Sequence, residues 1–253
     1  MAISIDLAGR IALITGASQG IGAQIARTFH AAGATVLLNH PDVGTTRVDA
    51  DRLAAELNVV RAGSAAALAA DVADADAVRA MMQAVRERHG GLDFLVNNAA
   101  ILRDRTLAKM SLDEWQAVLD VNLTGVFHCC KFGLEVMRDG GAIVSLGSIS
   151  AILGFYGQAN YSAAKAGVQA MMRVLARECA RRGIRANAIA PGVINTTMAT
   201  TIPDAARAEM LRQIPLARLG EPQEVADVAL FLCSPLASYV SGQTIEVNGG
   251  WHG

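Results

Sequence analysis

The chain has 253 residues, 52% of them hydrophobic, and 22 Lys plus Arg against 23 Asp plus Glu leave a net charge of −1. That composition supports a large core and excludes disorder, while near-neutrality argues against nucleic acid or an anionic membrane as partner. No apolar run approaches the roughly 18 residues of a membrane span, and residues 1–9 lack the basic and apolar regions of an export signal. Cys129, Cys130, Cys179 and Cys233 form no Cys-x-x-Cys or Cys/His cluster. Reduced thiols, no metal and a cytoplasmic location are therefore expected.

Residues 11–14, Ile-Ala-Leu-Ile, read as a short buried strand. The turn Thr15-Gly16-Ala17-Ser18-Gln19-Gly20-Ile21-Gly22 follows at once, and a helical pattern then runs to Ala32. Glycines at such a turn let the backbone approach a phosphate, and the helix start offers free N–H groups. The spacing Gly-x-x-x-Gly-x-Gly is not that of the commonest dinucleotide fingerprint, so by itself it also fits a plain glycine-rich turn. A second strand at 35–38 completes a βαβ unit. An Ala-rich stretch, 65–70, reads as a third strand ending at Asp71-Val72, although its composition equally suits a helix.

A helix is expected over 78–88, and a fourth strand over 92–96 that stops at Asn97-Asn98-Ala99-Ala100. Ser111 and Glu114 form a capping box for a helix continuing through Trp115, Val118, Val121 and Phe127 towards Met137. Strands at 142–146, 185–190 and 244–247 alternate with helices at 159–181 and 224–233. This pattern predicts an α/β fold: a single Rossmann-type doubly wound parallel sheet of about seven strands, with helices on both faces. Ligands of such sheets lie beyond the carboxyl ends of the strands. Polar clusters at Thr15, Asp71, Asn97, Ser148 and Pro191 all fall there.

Tyr161 and Lys165 stand four residues apart in a run of small residues, so a helix places both on one face. A surface Tyr beside a solvated Lys has the same spacing. A buried ammonium beside a phenol would favour the phenolate. An unperturbed Tyr titrates near 10, so reaching neutrality needs about 4 kcal/mol of such bias.

Taken together, Thr15-Gly16-x-x-x-Gly20-x-Gly22, Asn97-Asn98-Ala99-Ala100, Asn122, Ser148, Tyr161-x-x-x-Lys165 and Pro191-Gly192 resemble the short-chain dehydrogenase/reductase family over nearly the whole chain. The resemblance implies one NAD(P)-binding domain spanning 1–253. It makes Tyr161 the acid/base that protonates a substrate carbonyl and Ser148, 161 − 148 = 13 residues earlier, the donor that orients the same oxygen. Lys165 would lower the Tyr161 pKa and hold the nicotinamide ribose. Asn122 would sit on the long helix and support a water chain to Lys165, or merely bridge helices.

Gly16, Ser18, Gln19, Gly20, Ile21 and Gly22 would surround the pyrophosphate. Asp71 and Val72 resemble adenine contacts, and Asn97, Asn98, Ala99 and Ala100 line the ribose side. Ile194 and Thr196, after Pro191 and Gly192, resemble carboxamide contacts. Ala100 departs from the family's glycine, a change tolerated where φ stays negative. At the second strand's end, Asn39-His40 offers no carboxylate for a ribose 2′-hydroxyl, which leans towards NADP(H) over NAD(H). His40 and Arg47 are the candidate phosphate partners, with Gln19 and nearby Asp42 pointing the other way.

The closest likeness is to 3-oxoacyl thioester reductases acting on acyl-carrier-protein or CoA substrates, carried by Ile101-Leu102-Arg103-Asp104, Gly157-Gln158-Ala159-Asn160-Tyr161 and Ser241-Gly242-Gln243-Thr244. Arg103, Arg105, Lys109, Arg181 and Arg182 are candidate cations for an acidic acyl carrier protein, and equally ordinary surface charges. Asp139 lies where such reductases often carry a basic residue. Residues 193–215, with Met198, Ile202, Met210 and Ile214, would form a lid over an apolar substrate. A dehydrogenase of another secondary alcohol and a non-catalytic dinucleotide sensor remain as alternatives. A homotetramer is expected, using small-residue faces at 129–137 and 163–180 and the tail around Trp251.

Overall fold

A computed structural model describes residues 5–197 and 204–251. Its strands are β1 (Ile11–Ile14), β2 (Thr35–His40), β3 (Ala65–Ala69), β4 (Leu92–Asn97), β5 (Met137–Leu146), β6 (Arg185–Pro191) and β7 (Thr244–Val247). All pair in parallel in the order β3-β2-β1-β4-β5-β6-β7, the doubly wound arrangement expected from the alternation. The order reverses between β1 and β4, so the carboxyl ends of those two strands flank a crevice.

Helices cover both faces because the central strands are apolar on both sides. On one face, α1 (Gly20–Ala31), α2 (Thr46–Val60) and α9 (Pro222–Cys233) press Ile25, Phe29, Leu53, Leu57, Val225 and Leu232 onto Ile14, Val36, Leu38, Val96 and Val144. On the other, α3 (Ala75–His89), α5 (Gly125–Val136) and α7 (Ala159–Glu178) set Met82, Val85, Phe132, Val168 and Met172 against Leu13, Leu37, Leu95 and Ile143. Adjacent β1 residues thus serve opposite cores, and each fully buried side chain of this size contributes about 1.5–3 kcal/mol. The smaller helices are α4 (Leu112–Leu119), α6 (Ser150–Leu153) and α8 (Asp204–Gln213).

The amino end of the sheet is closed by one carboxylate. Asp93, buried, accepts the Arg10 guanidinium at 2.9 Å, the Arg138 guanidinium at 2.6 Å and the Ile11 N–H at 2.9 Å. The starts of β1, β4 and β5 are thereby joined at a single side chain.

Two expectations need correction. The helix beginning at the Ser111/Glu114 capping box does not run unbroken: a π-turn, Asp120–Thr124, separates α4 from α5, and the Gly125 N–H bonds back to the Asp120 carbonyl. Trp251 is not free for an interface. It is buried against Phe155, with ring centroids 5.2 Å apart, and clusters with Ile149, Ile214 and Leu219. Cys129, Cys130, Phe132 and Gly133 likewise face the chain's own core.

Candidate active site

The glycine turn after β1 is built for close approach. Gly16 (φ +62) and Gly20 (φ +57) occupy the left-handed region that side chains rarely adopt. A Cβ on Gly22 would lie 2.5 Å from both Asn98 Nδ2 and the Gly16 carbonyl. Asn98 ties the turn to β4, donating from Nδ2 to the Thr15 and Gly16 carbonyls at 2.9 and 3.0 Å. Thr15 Oγ1 returns the link by accepting the Asn98 and Ala99 N–H groups. Gln19 starts α1 without a side-chain cap, so no Gln19 side-chain bond occupies the first-turn N–H groups. The turn therefore fits the pyrophosphate of a dinucleotide. We expect Gly22→Ala to weaken NADPH binding roughly tenfold through overpacking; a dissociation constant within twofold of wild type would show that the turn yields.

The remaining cofactor candidates divide. Asp71 is exposed, with Oδ1 accepting the Ala73 N–H at 2.9 Å, and Val72 is buried beneath it. Ala100 has no left-handed φ, so alanine is accommodated there. Pro191 and Gly192 close β6, with the Pro191 carbonyl taking the Ile149 N–H and Gly192 donating to Val247. Ile194 bridges to Gly220, and Thr196 Oγ1 bonds the Ile194 carbonyl. A Cβ on Gly20 would meet Thr196 Cγ2 at 3.6 Å, so these two loops are the walls of one crevice.

His40 does not behave as a phosphate partner, and Asn39 beside it is engaged inside the fold. Asn39 is buried with its amide spent on the Leu68 and Ala70 carbonyls, and buried His40 uses Nδ1 to accept the Asp42 N–H at 3.1 Å. Arg47 is exposed, with carboxylates of Asp42 and Asp51 at 4.0 and 3.8 Å.

The acid–base group forms at the carboxyl end of β5. Ser148 lies just past the strand, its hydroxyl beside the Tyr161 phenol and its carbonyl accepting Gln169 Nε2 at 3.1 Å. Gly147 leaves room for that amide, since a Cβ there would sit 2.8 Å from it. Tyr161 is in the first turn of α7, where N–H groups lack helical partners. The Asn160 side chain satisfies it by accepting the Tyr161 N–H at 2.8 Å, while Asn160 Nδ2 donates to the Arg103 and Glu114 carbonyls. Sequence reasoning misses Asn160 as a site residue; its position beside Tyr161 is the available signal. Lys165, only 2% exposed, donates to the Leu146 carbonyl at 2.7 Å, with Nζ 5.6 Å from the Tyr161 ring centroid.

This arrangement reverses the expected direction for Tyr161. Burial pushes its phenol up to about 12, Asp104 adds to that, and only the Ser148 hydrogen bond opposes it. Burial also brings Lys165 down to about 8. At neutral pH the pair is therefore a neutral phenol beside a largely protonated amine. Asn122 is buried in the π-turn, and its amide clasps Ile101, accepting the N–H at 2.8 Å and donating to the carbonyl at 2.9 Å. Its side chain thus braces the segment after β4.

Of the lid candidates, Met198 and Ile202 lie outside the described residues, whereas Met210 and Ile214 pack with Trp251. Among the candidate docking cations, Arg105 is paired with Glu114 at 2.9 Å. Arg182 is spent on Asp139 at 2.8 Å and on the Leu134 and Met137 carbonyls. Arg103, Lys109 and Arg181 are exposed.

Residues 16–252 match a protein-family model described as enoyl-(acyl carrier protein) reductase. The chain belongs to the short-chain dehydrogenase/reductase family. A 3-oxoacyl-[acyl-carrier-protein] reductase from Synechocystis is 44% identical over 96% of this chain and 97% of that one. A Brucella melitensis short-chain dehydrogenase/reductase crystal structure, titled glucose/ribitol dehydrogenase, superposes with a TM-score of 0.93 at 39% identity, covering 99% of this chain and 100% of that one. A metagenomic blue fluorescent protein in complex with NADPH gives 0.92 at 33%, covering 97% and 99%. This short-chain dehydrogenase/reductase is accordingly an NAD(P)-dependent oxidoreductase of ketone and CH–OH groups. Among the described residues, no helix is long and apolar enough to cross a membrane.

Proposed function

We propose that the protein reduces 3-oxoacyl thioesters, with NADPH preferred to NADH. The observation that carries this reading is the placement of the Ser148 hydroxyl beside the Tyr161 phenol just past β5, which offers two O–H donors to one oxygen. A ketone oxygen placed there takes both, and the charge it gains during reduction is met by pre-oriented donors. Tyr161, holding its proton at neutral pH, transfers it to that oxygen, and Lys165 stabilises the phenolate left behind. The bound cofactor supplies the hydride. Gly16, Ser18, Gln19, Gly20, Ile21 and Gly22 would hold its pyrophosphate, Asp71 and Val72 its adenine, and Asn98, Ala99 and Ala100 the neighbouring ribose. Lys165 would bind the nicotinamide ribose, with Pro191, Gly192, Ile194 and Thr196 along the nicotinamide.

The Synechocystis relative's name supports the substrate class, whereas the family model's description names enoyl reduction. Two donors directed at a single oxygen favour the ketone. Purified protein should oxidise NADPH with acetoacetyl-CoA at least tenfold faster than with crotonyl-CoA, and the opposite ranking would reverse the assignment. An acyl carrier protein remains a candidate carrier. Because Arg182 is neutralised by Asp139, however, CoA thioesters should serve without it.

The preference for NADPH is supported by the NADPH complex of the blue fluorescent relative and by exposed Arg47 beyond β2. Arg47→Ala should raise KM for NADPH roughly tenfold, a charge-assisted contact of about 1.4 kcal/mol, and leave NADH within twofold. Equal effects on the two cofactors would remove Arg47 from the site. Four buried free thiols support the cytoplasmic reading. The homotetramer is supported by apolar side chains left on the outer helices, with Phe127 47% and Val174 52% exposed.

A further inference from the structure

We propose that Gln158 is a positioning residue that holds the segments carrying Ser148 and Tyr161 in register by bridging the Asp104 carboxylate to the Ser150 hydroxyl. The proposal rests on the reading of Ser148 and Tyr161 as the donors to the substrate oxygen.

Gln158 Nε2 donates to Asp104 Oδ2 at 2.9 Å. A carboxylate can only accept, so the amide nitrogen must face it and Oε1 must face the other way. Oε1 accepts from Ser150 Oγ at 2.9 Å, which consumes the one proton that Ser150 carries. In the 2.6 Å contact between the Ser150 and Ser162 hydroxyls, Ser162 is then the donor. The chain has a single direction, Ser162 to Ser150 to Gln158 to Asp104, set at its end by charge. Beside it, the Ser150 N–H donates to Ser148 Oγ at 3.1 Å and occupies an acceptor site there. Ser148 is left with its own proton to give.

The chain also joins pieces that carry the two donors. Ser150 opens α6, next to Ser148; Ser162 is on α7, next to Tyr161; Asp104 follows β4. Backbone bonds staple the same region, with the Arg105 N–H on the Gly157 carbonyl at 2.8 Å and Asn160 Nδ2 on the Arg103 carbonyl at 3.2 Å. Residues 103, 104 and 105 thus each hold one residue of the turn that launches Tyr161. Small displacements of a catalytic pair are costly, and Gln158 is the side chain that ties this pair together. Charged or titratable groups on the elements packed against it are Asp104, Arg103 and Arg105, Glu114 (paired with Arg105), and Tyr161 and Lys165 on α7.

Two variants test this. Gln158→Met keeps the length but removes both bonds, and kcat for acetoacetyl-CoA should fall about 10- to 100-fold with KM changed less than about threefold. Gln158→Glu restores the chain only when the introduced carboxyl is protonated, its O–H serving Asp104 and its carbonyl serving Ser150. The neighbouring Asp104 raises the pKa of that introduced carboxyl in the folded protein above the unfolded value near 4.3. Stability from the shared proton is complete below that value and is lost as pH rises through the folded one. From pH 5 to pH 8, both kcat and melting temperature of Gln158→Glu should fall relative to wild type, the latter by about 2 °C or more. Melting needs no substrate, so it judges the chain even if wild type leaves acetoacetyl-CoA unreduced, a result that would count against the substrate reading alone. A Gln158→Met kcat within twofold of wild type, or Gln158→Glu melting that runs parallel to wild type, would overturn the proposal.

Discussion

Tyr161→Phe should reduce ketone turnover about 10³-fold, within the 10²–10⁴ range for a positioned proton donor, while NADPH binding stays within twofold. The ring is kept, so α7 and its contacts survive, and only the hydroxyl with its proton is removed. Residual turnover above a tenth of wild type would mean that Ser148 or solvent delivers the proton. The pH profile adds a second check. A phenol raised to about 12 keeps its proton throughout the usual range, so it imposes no alkaline-side loss of its own on reduction. Lys165, near 8, is the group that titrates: reduction should hold below that value and decline above it as the ammonium is lost. The reverse oxidation must begin from a deprotonated Tyr161, so its rate should climb with pH over the same interval.

Lys165→Met is expected to separate stability from activity. Burial lowers the amine from 10.5 to about 8. A shift of that size corresponds to roughly 3 kcal/mol of cost in the folded state at neutral pH. Because the folded value lies below the unfolded one, the cost is complete below pH 8 and is relieved as pH rises towards 10.5. Methionine matches the chain length and carries no charge, so the variant should melt higher than wild type at pH 7 and lose the stability gain between pH 8 and 10. Its turnover should drop by at least 10²-fold. The orphaned Leu146 carbonyl limits the gain to less than the full figure. A variant that melts lower at pH 7 would show that the Lys165–Leu146 bond outweighs the desolvation of the amine.

The sheet was legible because its strands are short apolar runs bounded by glycine, proline or asparagine, as at 11–14 and 92–96. The capping box at Ser111 and Glu114 was legible too, since both bonds are local. The helix α2 escaped, although Ala50, Leu53, Ala54 and Leu57 are buried at helical spacing, because polar and small residues dominate the segment. The π-turn at Asn122 escaped for another reason: helix propensity does not distinguish i→i−4 from i→i−5 bonding. The family resemblance pointed to Ser148, Tyr161 and Lys165, but not to the direction of the Tyr161 shift. Burial sets that sign, and burial is a property of packing that no short motif encodes. His40 shows the same limit, since a polar residue at a strand end reads as available from sequence yet lies inside.

The Asp93 clasp gives the molecule a division of labour along its strands. Around the carboxyl ends of β1, β4 and β5 lie the buried Lys165 amine, left-handed glycines and the hydroxyls of Ser148 and Tyr161, which suit chemistry at the expense of stability. At the amino ends of the same strands, two guanidiniums and a backbone N–H converge on one carboxylate. Changes there alter the resistance of the sheet to unfolding without touching a group that meets the substrate. An engineer seeking a heat-tolerant catalyst would therefore work around Arg10, Asp93 and Arg138, and leave the opposite rim as it is.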